Sequence, residues 1–308
     1  MRSRGRTGMT LVELAVVLAL VGLIGTTIGM TLIRQQRFYR SATELLQARE
    51  GVRDALDLLA TDIRGMSIAD TVRLFADSAM EFFANIGSSV VCQTTSGTSV
   101  GLPNATSGRG NTLTAFLVQP DTGDIVVFHR DSSDGGSEWE RHRITGFGSR
   151  SLGTSCQASS GLVQETGIDA RRTGFILELA TPLSAQVKLG APVRFIRRGR
   201  YSLYRASDGR WYLGYRRCDA VGGSGCGAIQ PLSGPYRNFS TNPRNTGLLF
   251  EYFDAVGNLL SPTGSPREIA RVDVTARAES RQRILVEGGV STPADSATVV
   301  IAVRNRAP

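Results

Sequence analysis

Residues 8–25 read "GMTLVELAVVLALVGLIG", and they decide the fold because they open a long apolar run with one carboxylate, Glu13, near its start. From Leu14 to Ile33 there are twenty residues without a charge, interrupted only by small or weakly polar Gly and Thr. About 20 helical residues at 1.5 Å each cross a bilayer, so the run predicts a membrane-length helix. A cleavable secretory signal would follow its apolar core with a small-residue A-x-A cut site. None stands between Gly25 and Arg40. The basic leader "MRSRGRTG" instead ends in Gly8, so a cut there discards residues 1–8 and leaves the apolar helix on the mature chain, with a new ammonium at Met9. Glu13 lies four residues beyond that amine, in the first turns of a helix whose N-terminal dipole favours negative charge. The carboxylate thereby gains a partner, in its own chain or in a neighbour packed alongside. An intramembrane charge costs about 2.5 to 3.5 kcal/mol at a helix centre on insertion scales, and that cost favours association of helices that pair it.

The combination of a basic leader, Gly8, then "MTLVEL" with glutamate fifth after the cut, then the long apolar run, resembles the class III signal of type IV pilins and pseudopilins. Met9 stands where that family usually begins its mature chain with Phe. The resemblance implies cleavage after Gly8 by a prepilin peptidase, N-methylation of Met9, and a role for Glu13 in guiding the subunit into a filament. The competing reading is an uncleaved single-pass anchor in which Glu13 has no assembly role.

Arg2, Arg4 and Arg6 precede the apolar segment and Arg34, Arg37 and Arg40 follow it, so the positive-inside rule is nearly balanced. A short basic N-terminus ahead of a first helix usually stays cytoplasmic. Cysteine usage points the same way: Cys92, Cys156, Cys218 and Cys226 make an even number, as expected of two disulfides in an oxidising compartment such as the bacterial periplasm. Spacing does not fix their pairing. Cys218 with Cys226, across the Gly-rich "DAVGGSG", is favoured, which leaves Cys92 with Cys156. Zinc at the near pair is the rival, but His129 and His142 show no ligand spacing to it. Net charge falls from +8 to +5 on loss of the leader arginines, and with Lys188 the only lysine, the excess of Arg reflects composition more than a ligand.

Past the apolar run, Phe38, Ala42, Leu45, Val52, Leu56, Leu59 and Ile63 recur at three- and four-residue steps, with charges on other faces and no proline. One helix from Met9 to about Ile63 follows, half for lipid and half with an apolar stripe to cover. Gly22, Gly25 and Gly29 are points where it bends, or where helices approach closely. From Val72 short apolar runs alternate with Gly, Ser, Asp and Asn clusters, the pattern of antiparallel strands. The runs at 112–118, 124–130, 138–144, 174–180, 192–198, 201–206, 210–217, 248–254, 270–278 and 297–305 are strand candidates. Asp208 and Gly209 mark a hairpin turn within 201–215, and Val272, Val274 and Ala276 alternate with polar neighbours. The stretches 87–112, 146–173 and 222–246 read as long loops. The expected fold is α+β: a cleaved leader (1–8), a transmembrane and assembly helix (9–33), its amphipathic continuation (34–66), and an exported β-rich head (67–308) laid as an antiparallel sheet against the helix.

The segment from Ile33 to Met66, ending in Asp62, Ile63 and Arg64, is similar to the post-membrane helix of large minor pilins of the W type. The stretch 193–211, "VRFIRRGRYSLYRASDGRW", resembles both those proteins and the J-type minor pseudopilin of type II secretion. The resemblance implies an initiating or tip subunit. Its implied partners are the prepilin peptidase, other minor and major pilins or pseudopilins, an inner-membrane assembly platform and membrane lipid, first in the inner membrane with a periplasmic head and then at a filament tip.

Enzymatic function is not expected, and no cofactor is. "GGSGCG" around Ser224 matches neither a nucleophile elbow nor a Walker loop, and two histidines, read as solvated strand residues, offer little acid–base chemistry. Asp131, Asp134 and Glu138 lack the spacing of a calcium loop. Binding is the stronger competitor: Arg197, Arg198 and Arg200 lie in a stretch where arginines interleave with Phe195, Tyr201, Tyr204, Trp211, Tyr212 and Tyr215. Such a mixture holds DNA when it is exposed and is ordinary strand alternation when the aromatics face the core.

Overall fold

The computed structural model describes residues 10–66, 74–104, 113–131, 136–163, 173–219, 225–261, 264–280, 284–286, 289–292 and 294–303. Gly8, Met9 and the rest of the leader lie outside them. The chain opens with α1 (Leu11–Gly65), a single unbroken helix of 55 residues, about 80 Å long. It passes through Gly22, Gly25 and Gly29 without interruption. The strands follow in order: β1 (Leu74–Phe75), β2 (Ala79–Val90), β3 (Gln93–Ser96), β4 (Ser99–Leu102), β5 (Ala115–Phe116), β6 (Ile125–Asp131) and β7 (Ser137–Ser151). After a short helix α2 (Leu152–Ser155) come β8 (Thr173–Leu179), β9 (Pro192–Arg205), β10 (Trp211–Arg217), β11 (Gln230–Tyr236), β12 (Leu248–Phe253), β13 (Arg271–Glu279), β14 (Ile284–Val286), β15 (Gly289–Ser291) and β16 (Ala294–Ala302).

Every pairing among the described strands is antiparallel, and the main path runs β12-β13-β11-β10-β9-β6-β7-β8-β4-β3. β9 is the spine: it pairs with β2, β6 and β10 along its 14 residues. The two sequence candidates at 192–198 and 201–206 are thus one strand. β7 is also continuous, but it pairs with β6 through Arg143 and with β8 from Ile144 onward. The hairpin at Asp208 and Gly209 is present: Arg205 faces Trp211, and Gly209 takes φ +80°, where a side chain is disfavoured.

The second half of α1 lies on the sheet. Its buried residues are Ala48, Val52, Ala55, Leu56, Leu59, Ala60 and Ile63, at three- and four-residue steps. They pack with Met80, Phe82, Tyr201, Leu203, Leu213, Tyr252, Val272 and Val274 in one core. The expected stripe begins too early in the sequence reading, for Phe38 is 70 % exposed and Leu45 only half-buried. Full burial of the helix against the sheet begins at Ala48; the turn before it is only partly covered, with Glu44 accepting from the Ser280 hydroxyl at 2.8 Å, and Phe38 meets no cover among the described residues. A second core, away from the helix, holds Val126, Phe128, Leu177 and Phe195, with Phe116 edge-on to Phe147, Phe175 and Phe195.

The three stretches read as long loops carry more structure than their composition predicts. β3 and β4 lie inside 87–112, most of the second half of β7 and all of α2 inside 146–173, and β11 inside 222–246. These strands are polar or interrupted, and they are held by pairing to apolar neighbours rather than by a hydrophobic period of their own. β11, "QPLSGPY", contains two prolines and pairs with β10 through an irregular register.

Candidate functional site

Thr10 caps α1 from an extended backbone (φ −77°, ψ 152°), and together with Glu13 it forms a reciprocal capping box. The Glu13 amide donates to Thr10 Oγ1 at 3.3 Å, while Glu13 Oε2 accepts from the Thr10 amide at 2.9 Å and from its hydroxyl at 3.1 Å. Both bonds to the carboxylate fall on Oε2. No described donor reaches Oε1. The carboxylate is therefore fixed beside the helix N-terminus with one oxygen open to a further donor. The T-x-x-E pattern that signals this box stands in the sequence at Thr10 and Glu13.

From Leu11 to Ile33 the helix is an apolar surface that no described residue buries. Leu11 is 84 % exposed, Leu18 64 % and Leu23 66 %, and the segment is long and apolar enough to span a membrane. Its polar side chains are satisfied internally. Thr26 donates to the Gly22 and Leu23 carbonyls, Thr27 to Ile24 and Thr31 to Thr27, at 2.8–3.0 Å. Such a segment brings no unpaired hydroxyl into hydrocarbon. A Cβ built on Gly22, Gly25 or Gly29 meets nothing within 4 Å, so these glycines answer no packing need inside the chain.

At its other end the helix is pinned by Asp62, whose carboxylate accepts from the Tyr201 hydroxyl of β9. Tyr201 also packs at 5.1 Å against Tyr215, and burial pushes its hydroxyl well above the ordinary tyrosine range, the Asp62 charge adding to the effect. Burial raises the Asp62 carboxyl as well, with the Tyr201 bond opposing the rise. The folded protein then holds this proton to higher pH than the unfolded chain does. In that window the folded state binds more protons, so this group's contribution to stability falls as pH rises from about 4 through the raised pKa. Asp62→Asn keeps an acceptor for Tyr201 and cannot titrate. Urea midpoints of the two proteins, followed from about pH 4 to 7, are expected to diverge, wild type losing relative stability as pH rises. Parallel curves would assign Asp62 no titration of its own.

Cys92 is bonded to Cys156 and Cys218 to Cys226, the pairing favoured from the sequence. The first bond ties the start of the β3–β4 excursion to the end of α2 and the second closes the loop after β10. Glu81 approaches the Cys218 and Cys226 sulfurs. Those sulfurs are joined to each other, however, and zinc requires thiolates. Glu81 itself is taken by Arg198, whose Nε donates to it at 2.7 Å.

The arginine reading needs correction. Arg198 is 6 % exposed, between Glu81 and the Asp219 carbonyl. Arg197 turns to the other face and makes a two-pronged bond to buried Asp124, at 2.9 and 2.7 Å, which Arg217 joins at 3.1 Å. Hydrogen bonding to Asp124 raises the Arg197 pKa further. Arg200 is half-buried beside Arg216. Arg197, Arg198 and Arg200 thus do not form one exposed patch, and of the interleaved aromatics Phe195 and Tyr201 are core residues. His142 is also not a solvated residue. It is 5 % exposed, with Nδ1 2.8 Å from Thr181 Oγ1 and Nε2 2.7 Å from Glu140 Oε1. Glu138 bonds Arg130 at 2.6 Å, and Asp134 lies outside the described residues.

A membrane-length exposed helix whose second half is built into an antiparallel sheet defines the class: an α+β protein with a long apolar N-terminal helix and two disulfides. Comparison with protein-family models, with curated proteins and with solved structures finds no match to this chain.

Proposed function

We propose that this chain is a minor pilin, an initiating or tip subunit of a type IV pilus that assembles through its N-terminal helix. The observation that carries the reading is the division of α1: the Ala48–Ile63 face is buried in the head, whereas no residue of Leu11–Ile33 is buried by the described part of the chain. The uncovered half has the length of a bilayer crossing and, once withdrawn from lipid, requires the like helices of neighbours. Glu13 stands at the start of that half with Oε1 unmet by any described donor, four residues in sequence after Met9, whose amine cleavage after Gly8 would create. In this reading the prepilin peptidase cuts the leader on the cytoplasmic side, Met9 is methylated, and the head lies in the periplasm, where its disulfides form. The assembly platform and other pilins then receive the helix. A broad head on one subunit crowds a packed fibre if it recurs at every step, and it fits at a tip.

Mass spectrometry of the mature protein tests this. The expected N-terminus is Met9, methylated. An intact Met1 terminus in a strain with active prepilin peptidase removes the pilin assignment. Deletion of the gene is expected to reduce surface pili with secretion unchanged, and the reverse result would move the chain to a type II secretion pseudopilus.

A further inference from the structure

The sheet face opposite α1 carries an exposed aromatic and cationic platform that assembly through the helix does not use. On β6 and β7, His129 stands opposite Trp139 and Val127 opposite Arg141, while Val127 also faces Arg194 of β9. These side chains therefore share one face. The Arg194 guanidinium lies over the Trp139 ring at 4.8 Å, the His129 ring meets the same indole edge-on at 5.5 Å, and Arg141 lies over Phe83 at 4.7 Å. Beneath them Phe83, Ile125, Val127 and Ile196 form a small buried cluster, which the long arginine stems help cover. Arg141 and Arg194 are exposed, and Trp139 is 44 % exposed. Farther along the face Arg200 and Arg216 stand opposite each other, with Glu81, the partner of Arg198, opposite Arg200 on the other side, and Arg143 at the border is paired with Asp219 at 3.4 Å.

We infer that this face binds single-stranded nucleic acid. The indole of Trp139 keeps part of its surface in water while the Arg194 guanidinium lies over its ring. What remains is a flat cationic platform. Nucleobases stack on indole rings and on guanidinium planes, and the same arginines reach phosphate oxygens at fixed geometry. An acidic polysaccharide matches the charge but has no planar base for the guanidinium face. The site is built from residues other than Arg197 and Arg198, which are turned to carboxylates, and it does not depend on the pilin reading.

The test uses the full chain in nanodiscs of uncharged lipid, titrated with a fluorescein-labelled oligodeoxythymidylate and followed by anisotropy. Saturable binding is expected, weakening with salt. Trp139→Ala should weaken it by about 5- to 100-fold, the loss of one stacked base. Arg194→Ala should also lower the slope of log affinity against log salt by about 0.7, one phosphate contact on a single strand. In a Trp211→Phe background Trp139 is the only tryptophan, and its emission should be quenched by the oligonucleotide. Arg150→Ala, an exposed arginine on the far half of β7, should bind as wild type does. Absence of salt-dependent binding overturns the inference, as does an equal loss from Arg150→Ala or unchanged affinity in Trp139→Ala. Tighter binding of a polyuronate than of the oligonucleotide overturns it in favour of an acidic glycan.

Discussion

Glu13→Val is expected to leave membrane insertion and cleavage after Gly8 intact while cutting recovery of the protein with its neighbouring subunits by about tenfold or more. Valine removes the cost of holding a carboxylate in an apolar segment, so the anchor alone gains from the change. Assembly loses. If the open oxygen of Glu13 receives the Met9 amine of a neighbour, the substitution leaves that ammonium unpaired among packed helices, and removal of one member of a buried pair costs about 3 to 5 kcal/mol. The same change also deletes the two bonds that Thr10 makes to the carboxylate, and a lost cap costs about 0.5 to 2 kcal/mol. Glu13→Gln separates the two effects, because its amide oxygen still accepts from Thr10 but carries no charge. Recovery near wild type with Gln and low with Val would make the capping box the important feature. Low recovery with both is the outcome expected of charge pairing. Wild-type recovery with Val refutes pairing and leaves a plain membrane anchor.

The helix was legible because its signals are local. Leu14–Ile33 needs only composition, and Val52, Leu56, Leu59 and Ile63 repeat with the period of the face they bury. The same is true of the Asp208-Gly209 turn and of β13, where Val272, Val274 and Ala276 are all fully buried. β2 was not legible: "AMEFFANIGSSV" is buried on both faces over its first half, and its register against β9 shifts between Asn85 and Gly87, so no two-residue alternation marks it. β11 was hidden by its prolines. The candidate site divides in the same way. The Thr10–Glu13 capping box is local and follows from a T-x-x-E spacing, but Arg197 and Arg198 read as exposed because their partners are remote. Asp124 is 73 residues from Arg197, and Glu81 is 117 from Arg198. Alternation along β9 says which side chains share a face. It does not say which face a carboxylate from another strand occupies, nor that Asp62, 139 residues before Tyr201, closes onto it.

Leu59→Ala should have the largest effect on the head, lowering its stability by about 2 to 5 kcal/mol, because Leu59 is fully buried at the contact between α1 and the sheet. The neighbouring Ile63, equally buried, gives a graded control, Ile63→Val costing about 0.5 to 1.5 kcal/mol. Leu18→Ala removes the same atoms from the same helix at a position 64 % exposed. No described residue packs over it, so head stability is expected to change by less than about 0.5 kcal/mol. Denaturant unfolding of the detergent-solubilised protein, followed by tryptophan fluorescence, measures all three, and the ordering Leu59 above Ile63 above Leu18 is the prediction. Equal losses for Leu59→Ala and Leu18→Ala would mean that the apolar half is folded onto the head, and the exposed surface on which the assembly proposal rests would then not exist. If the ordering holds, the substitutions also separate the two halves of one helix. Leu59→Ala weakens the head without touching the uncovered surface, whereas Leu18→Ala leaves the head stable and acts only where another helix, or lipid, meets it.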